Sequence, residues 1–381
     1  MQNLDSYFIE KGFFNEEAGR SYLEAHCENR HVSLRMSGRL PHLGILHYKN
    51  DAVFGKGAWT PFTKACRGVI VDFKNKKILT KPFWKFFNLN EKHAPSTRDL
   101  EKKSGFYAIE KIDGSMVEAY YDEVTDGFYM STKGSLDSEQ GVWATTRFPE
   151  QLKDKKLITS HTLIFEMICK RYQIVIPYDK KGYPEGLYLI GVRENKSEKL
   201  FEPPEVQAFA KEYKLPTFKT YDYPTLQSII DGTEKLSFME EGYVIRFKGE
   251  ETMVKIKSPA YLQAHRVVSS LTDKSILETL IAGREAFLKE DLAIVAEEYR
   301  EEVQTTLSNY KRSSLEFRKK CYSLFGDLPK ESRKTFALEV KKLPARFQPF
   351  LFQIFEGKDP ALQQIYISFK KWGTYDDFRT I

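Results

Sequence analysis

The sequence predicts an α+β fold: a sheet-rich N-terminal domain with antiparallel or mixed sheets, followed by an all-α C-terminal domain. Up to residue 258 the chain is built of short runs in which apolar and polar residues alternate, the period of a half-buried strand. After it, apolar residues recur at three- and four-residue steps, the period of an amphipathic helix. The chain has no internal repeat and no low-complexity tract, which leaves one expected boundary: residues 1–258 as one domain and 259–381 as the other.

The alternating runs, in order, are "CRGVIVDF", "FYAIEKI", "MVEAYYD", "GFYMSTK", "TLIFEMI", "LYLIGVREN", "EGYVIRFKG" and "TMVKIKS". Most are bounded by Gly, Asp or Pro, as strands broken by turns are. Asp113-Gly114 lies between two of them and predicts a tight hairpin. A helix is expected in "PPEVQAFAKEYK", whose prolines stand where a helix start tolerates them. In the second part, Leu288, Leu292, Val295, Tyr299, Val303, Leu307 and Tyr310 form one apolar stripe on a long helix. Further helices are expected in "KESRKTFALEVKKL", "ARFQPFLFQIFEG" and "PALQQIYISFKKW".

At 381 residues the chain is long enough for two ordinary domains with a substantial core. With 28 Phe and 21 Tyr it is rich in aromatics, and its composition excludes a disordered protein. The net charge of +6 is compatible with a nucleic-acid partner without requiring one. Cys27, Cys66, Cys169 and Cys321 stand far apart with no Cys-x-x-Cys pair. That argues against structural zinc and for reduced thiols in an intracellular, cytoplasmic protein. The first residues lack a basic segment followed by an apolar run, and no apolar stretch reaches membrane-spanning length. From Lys311 to Arg346 there are eleven basic and four acidic residues, interleaved with Phe317, Tyr322, Phe325 and Phe336. Two readings stand: solvated helix faces over an aromatic core, or a surface that tracks an RNA backbone.

The chemistry is sought in the first domain. There is no Gly-x-x-x-x-Gly-Lys-Ser/Thr, no Gly-x-Ser-x-Gly and no His-Glu-x-x-His, which excludes the sites those motifs build. Lys255 and Lys257 alternate with Val254 and Ile256. On a strand their side chains leave one face about 7 Å apart. They face either solvent or a cleft that holds an anion. Glu166 sits in an apolar run, where a carboxylate is costly without a partner, and Glu241 stands just before a strand. Each is either a satisfied structural acid or part of a site. Lys111, at the mouth of the expected hairpin, is either a solvated edge residue or a nucleophile. Three lysines and two acids in one cleft suit a nucleoside triphosphate with a metal ion. In such a cleft, neighbouring ammonium groups and partial burial are expected to lower the pKa of Lys111, freeing its amine to attack the α-phosphorus.

In this order the blocks resemble the covalent nucleotidyltransferase superfamily of DNA ligases, RNA ligases and capping enzymes, whose hallmark Lys-x-Asp-Gly reads here Lys111-Ile112-Asp113-Gly114. They are most similar to the RNA ligase 1 family of T-even-type phages. "CRGVIVDF", "KPFWKFFNLNE", "EKIDGS", "STKGSLDSEQ", "IFEM", "GVREN", "EGYV" and "KIKS" carry the likeness over residues of about 45 to 265. The resemblance implies an ATP-dependent RNA ligase acting through lysyl-adenylate and RNA-adenylate intermediates in RNA repair. Lys111 would be the nucleophile, with Asp113 and Gly114 shaping its turn. Arg67, Lys85, Lys133, Lys255 and Lys257 would bind the nucleotide, with Tyr48 beside them. Glu166 and Glu241 would serve the ribose and a magnesium or manganese ion, directly or through water, and Tyr261 would match an essential tyrosine or be a core aromatic. Its partners would be single-stranded RNA with 5′-phosphate and 3′-hydroxyl ends, a nicked tRNA included, bound by a monomer with no membrane contact. The family's early Asp-Asp pair has no counterpart in "LIAGREAFLKED", so neither that site nor a specific role for the helical domain carries over. The alternatives are a DNA ligase, a capping enzyme, or a non-catalytic RNA-binding protein on a ligase scaffold. The absence of a readable OB barrel after "KIKS" argues against the first two. The intact set of Lys111, Glu166, Glu241, Lys255 and Lys257 argues against the third.

Overall fold

A computed structural model describes residues 3–25, 31–49, 59–103, 105–284 and 297–372. The chain divides into two compact units, Met1–Leu262 and Gln263–Ile381. The fold is mixed: antiparallel and mixed sheets in the first unit, helices in the second.

Thirteen strands are described in the first unit. β1 (Val32–Met36), β2 (Leu43–Tyr48), β3 (Arg67–Asp72) and β4 (Lys77–Thr80) form an antiparallel sheet in that order. Helix Leu4–Glu10 supplies Leu4 and Phe8 to the buried cluster against it, and Phe13 and Phe62 complete an aromatic knot. Those N-terminal elements were not foreseen. A second antiparallel sheet runs β10 (Gly186–Glu194), β9 (His161–Ile168), β7 (Ser115–Asp122), β8 (Gly127–Thr132). A third, mixed sheet runs β11 (Thr220–Tyr221), β6 (Phe106–Glu110), β12 (Gly242–Phe247), β13 (Met253–Lys257), β5 (Phe87–Asn88), with β13 and β5 parallel. Every alternating run of the sequence lies on one of these strands, and helix Pro203–Glu212 carries its prolines in the first turn.

The expected Asp-Gly hairpin does not form. β6 pairs with β11 and β12, whereas β7 pairs with β8 and β9, so residues 111–114 cross from one sheet to another. The physical reason is that Asp113 is not free to close a two-residue turn. Its Oδ2 accepts from the backbone N–H groups of Val175 (3.0 Å) and Ile176 (3.2 Å), and the side chain is buried. Long-range bonding overrides local turn chemistry here.

In the second unit the described helices after Pro259–Ser270 are Asp273–Ala282, Glu297–Gly326, Arg333–Val340, Gln348–Phe355 and Leu362–Trp372. Thr272 and Ser332 cap two of them by accepting from the backbone N–H three residues on. Val303 and Tyr310 of the expected stripe are buried and Leu307 is half-buried. Leu288, Leu292 and Val295 lie outside the described residues, as do the Tyr299 side chain and Cys27. Phe317 stacks on Phe347 at 4.8 Å between ring centroids, and Phe336 on Phe355 at 4.4 Å. Two of the four interleaved aromatics are thus core, while Tyr322 is exposed and bonded to Asp359. Among the described residues no helix is long and apolar enough to cross a membrane.

Candidate active site

The order β6-β12-β13 fixes the centre of the site. Glu241 immediately precedes the middle strand, and the neighbours on either side put Lys111 just past β6 and Lys257 at the end of β13. The Glu241 carboxylate therefore lies between two ammonium groups. Lys111 Nζ donates to Oε2 at 2.8 Å, and Lys257 Nζ stands 2.8 Å from Oε1. The backbone repeats the pairing, with Lys111 N–H donating to the Gly242 carbonyl at 2.9 Å. Gly242 has φ +129°, and a methyl group there would stand 2.1 Å from the Ile256 carbonyl oxygen, so only glycine fits this approach.

Lys111 borders a cavity of about 130 Å³ that Arg67, Glu166 and Lys255 also line. Apolar walls come from Phe86, Met116, Ile190 and Val244 among others. The register of β10 on β9 slips between Leu189 and Gly191, leaving Ile190 unpaired, a bulge of the kind that re-aims a side chain. Glu166 enters from β9 and its Oε1 accepts from Gly114 N–H at 3.2 Å. Gly114 is needed for close approach, since a methyl group would lie 2.4 Å from the Met167 carbonyl oxygen. Behind the loop, Tyr261 is 1% exposed and its hydroxyl donates to Asp113 Oδ1 at 2.7 Å. It is a core aromatic that also holds the turn after Lys111.

A second cluster gathers Tyr48, Arg67, Lys85 and Lys133. The Tyr48 ring lies 5.6 Å from Lys85 Nζ and 5.8 Å from Lys133 Nζ, and Lys85 is also caged by Trp59 (5.5 Å) and Phe87 (5.0 Å). Burial alone would push the Tyr48 hydroxyl up, but Lys133, Arg67 and Lys85 outweigh it and lower its pKa. The twelve residues singled out in the sequence thus all fall in or directly behind this region of the first unit.

The electrostatics correct one expectation. Burial pulls the Lys111 ammonium down, but Glu241, Glu166 and Asp113 together outweigh it and hold the pKa above the ordinary lysine value. The nearest charge is an acid 130 residues away in sequence, not the neighbouring lysines. The group that burial and the cations Lys85, Lys111, Lys257 and Arg67 do depress is Lys255, to about 7. Burial, with Glu241 and Asp113 adding, raises Glu166 to about 7 against the pull of Lys111 and Arg67. Burial opposes ionisation of Glu241, but Lys111 and Lys257 win and keep its pKa low.

Sequence reasoning missed Glu118. It is 0% exposed, and neither of its carboxyl oxygens makes a hydrogen bond of standard geometry. Burial pushes its pKa well above the usual range, only partly offset by Thr80, Arg67 and Ser131. The signal was available: a Glu in the apolar run "MVEAYYD" has the same cost as Glu166 in "TLIFEMI".

Among the described residues no group of three or more His, Cys, Asp or Glu is placed to hold a metal. Both Glu241 oxygens face lysines, which leaves Glu166 as the freer acid. Its hard oxygens are of the type a divalent cation takes.

With this geometry in hand, the sequence profile of the RNA ligase family matches residues 65–261, the span that carries β3 to Tyr261. This chain belongs to the RNA ligase family. The protein is therefore an RNA ligase, which sets aside the DNA-ligase and capping-enzyme alternatives. The RNA ligase of Rhodothermus phage RM378 is 26% identical over 380 residues, covering 79% of this chain and 83% of that protein. A Thermovibrio ammonificans protein whose given name marks it as a candidate RNA ligase is 28% identical over 306 residues, covering 76% and 77%. Among solved structures, an archaeal ATP-dependent RNA ligase is similar at 15% identity with a TM-score of 0.47, covering 76% of this chain and 75% of that one.

Proposed function

We propose that this RNA ligase is ATP-dependent and joins 5′-phosphate to 3′-hydroxyl ends of single-stranded RNA, nicked tRNA included, as a cytoplasmic monomer active in RNA repair. The observation that carries this reading is the Lys111 amine at the edge of a cavity that Arg67 and Lys255 also line, with Lys257 on the other oxygen of the Glu241 carboxylate that Lys111 meets. In the first step Lys111 Nζ bonds to the α-phosphorus of ATP, the bond to the bridging oxygen breaks, and pyrophosphate leaves. The cations around the cavity take up the charge that develops on the phosphates. AMP then passes to the RNA 5′-phosphate, and the 3′-hydroxyl attacks that phosphorus to release AMP. A magnesium or manganese ion, when bound, would neutralise phosphate charge; Glu166, with Glu241 once its lysines turn to phosphate, would hold it, directly or through water. The helical segment 259–381 serves RNA selection in this reading.

Because Lys111 rests as an ammonium, its proton must leave before the N–P bond forms. The rate of self-adenylylation is therefore expected to climb with pH through neutrality, about tenfold per unit while the neutral amine is scarce. The direct test is ATP labelled at the α-phosphate with magnesium. The wild type should become labelled and Lys111→Ala should not; equal labelling of the variant would refute the assignment of the nucleophile. GTP in place of ATP, and 5′-phosphorylated DNA in place of RNA, test the two substrates separately.

A further inference from the structure

Beside the nucleotide cavity lies a larger groove of about 700 Å³ whose lining, Lys85 apart, the reaction as described does not use. Lys64, Trp84, Lys85, Phe86, His93 and Met253 are among the residues lining it. Phe86 and Met253 also line the cavity that holds Lys111, so the two are neighbours that share a wall. The size is that of a site for a nucleotide-sized ligand.

Charge and aromatic content identify the occupant. Two acids stand at the rim, but both are already neutralised. Glu250 Oε2 is 2.5 Å from Lys103 Nζ, and Glu251 accepts from Arg193 at 3.1 Å and from the Leu200 N–H at 3.0 Å. Lys64 and Lys85 have no carboxylate within ion-pair distance among the described residues; each instead faces the ring of Phe87, at 5.8 and 5.0 Å. Trp84 packs against the core of the first sheet, is half-buried, and lines the groove with the part of its ring that remains accessible. The His93 ring stacks at a tilt on Phe87, 5.7 Å between centroids. Unpaired cations beside fixed aromatic faces are what a single-stranded nucleic acid needs: phosphates on the lysines, bases on the rings. Inorganic pyrophosphate would use the lysines and leave the rings idle.

We propose that this groove seats the donor RNA strand, with the base of the second nucleotide from the reactive 5′-phosphate stacking on Trp84 and the phosphodiester between the first two nucleotides meeting Lys64. It rests on the RNA ligase reading and adds where the donor lies. Placing the strand there brings its 5′ end to Lys85 and the mouth of the cavity, where the adenylyl group is delivered.

The test separates nucleotide from RNA. Trp84→Ala is expected to self-adenylylate with ATP within about twofold of wild type. Transfer of AMP to 5′-phosphorylated RNA should lose about tenfold in KM, the scale of one lost base stack. The loss should appear only with donors of two or more nucleotides, because a single nucleotide does not reach the ring. Trp84→Phe, which keeps an aromatic face, should recover most of it. In anisotropy titrations of a 5′-phosphorylated single strand, Lys64→Ala should reduce the slope of log K against log salt by about 0.7, one single-strand phosphate contact. The proposal is overturned if Trp84→Ala keeps the wild-type dependence on donor length, or if Trp84→Ala and Trp84→Phe lower adenylylation and transfer equally. A protein that bound RNA in this pattern but took no label from ATP would overturn the nucleotide mechanism and leave the groove standing.

Discussion

Tyr261→Phe removes the hydroxyl that holds Asp113. The phenyl ring would keep the packing of a residue that is 1% exposed, and would keep its place 5.2 Å beneath Lys257 Nζ. Only the hydroxyl that donates to Asp113 Oδ1 at 2.7 Å is removed. Asp113 is 5% exposed, and its other oxygen is already occupied by the Val175 and Ile176 N–H groups. Oδ1 would therefore be left buried and unpaired, which costs about 1–3 kcal/mol. At about 2–4 °C per kcal/mol for a unit of this size, a loss of about 2 kcal/mol lowers the melting temperature by roughly 4–8 °C. The same bond holds the turn that aims Lys111, so self-adenylylation should fall by about tenfold for each 1.4 kcal/mol lost at the transition state. Thermal unfolding and single-turnover labelling with ATP measure the two effects. The Tyr261 hydroxyl is one of the influences that lower the Asp113 pKa against the rise caused by burial, so the variant should hold its proton to higher pH and lose more activity on the acid side. A variant matching wild type in both melting temperature and labelling would refute the claim that this tyrosine positions the nucleophile.

Other substitutions probe the rest of the site. Gly242→Ala should cost about 1–3 kcal/mol in backbone strain before the clash with Ile256 is counted, and should abolish labelling because Glu241 is displaced; circular dichroism separates misfolding from misplacement. Glu118 keeps its proton in the folded state at pH values where the unfolded chain has lost it, so stability contributed at this site falls as pH rises above the ordinary carboxylate range, by about 1.4 kcal/mol per unit until the folded pKa is reached. Glu118→Gln should flatten that decline in a series of melting curves from acid to alkaline pH, and an unchanged slope would show that the carboxyl is not neutral in the fold. Lys255, depressed to about 7, should take up a proton when triphosphate binds at or slightly above neutrality. Calorimetry without divalent metal, in buffers of different ionisation enthalpy, reads that uptake directly, and a binding enthalpy independent of buffer would contradict it.

Much of this was legible in the sequence because it is periodic. Strand alternation put Lys255 and Lys257 on one face of β13, with Val254 and Ile256 on the other, and an acid in an apolar run marked Glu166. What was not legible is non-local. The Asp113-Gly114 pair carries hairpin chemistry, yet the Asp113 side chain's partners are Val175, Ile176 and Tyr261, between 62 and 148 residues away. The protonation of Lys111 is hidden from the sequence for the same reason: neighbouring lysines are visible in a string, while the pairing with Glu241 depends on β6 and β13 flanking β12. The N-terminal helices and the pair β1–β2 lack long alternating runs and are defined by the aromatic knot they bury. Glu118 shows the reverse case, a signal present in the string and passed over.

The passage of residues 111–114 between two sheets has a mechanical consequence. At one end the lysine is tied to the Gly242 carbonyl of the third sheet, and three residues later Gly114 is tied to Glu166 of the second. A strap this short has almost no slack. A ligand that drew the two sheets together would swing the amine, so in the proposed reaction the aim of the reactive nitrogen would register how well the pocket is filled, and a poorly fitting nucleotide would be penalised at the bond to phosphorus itself.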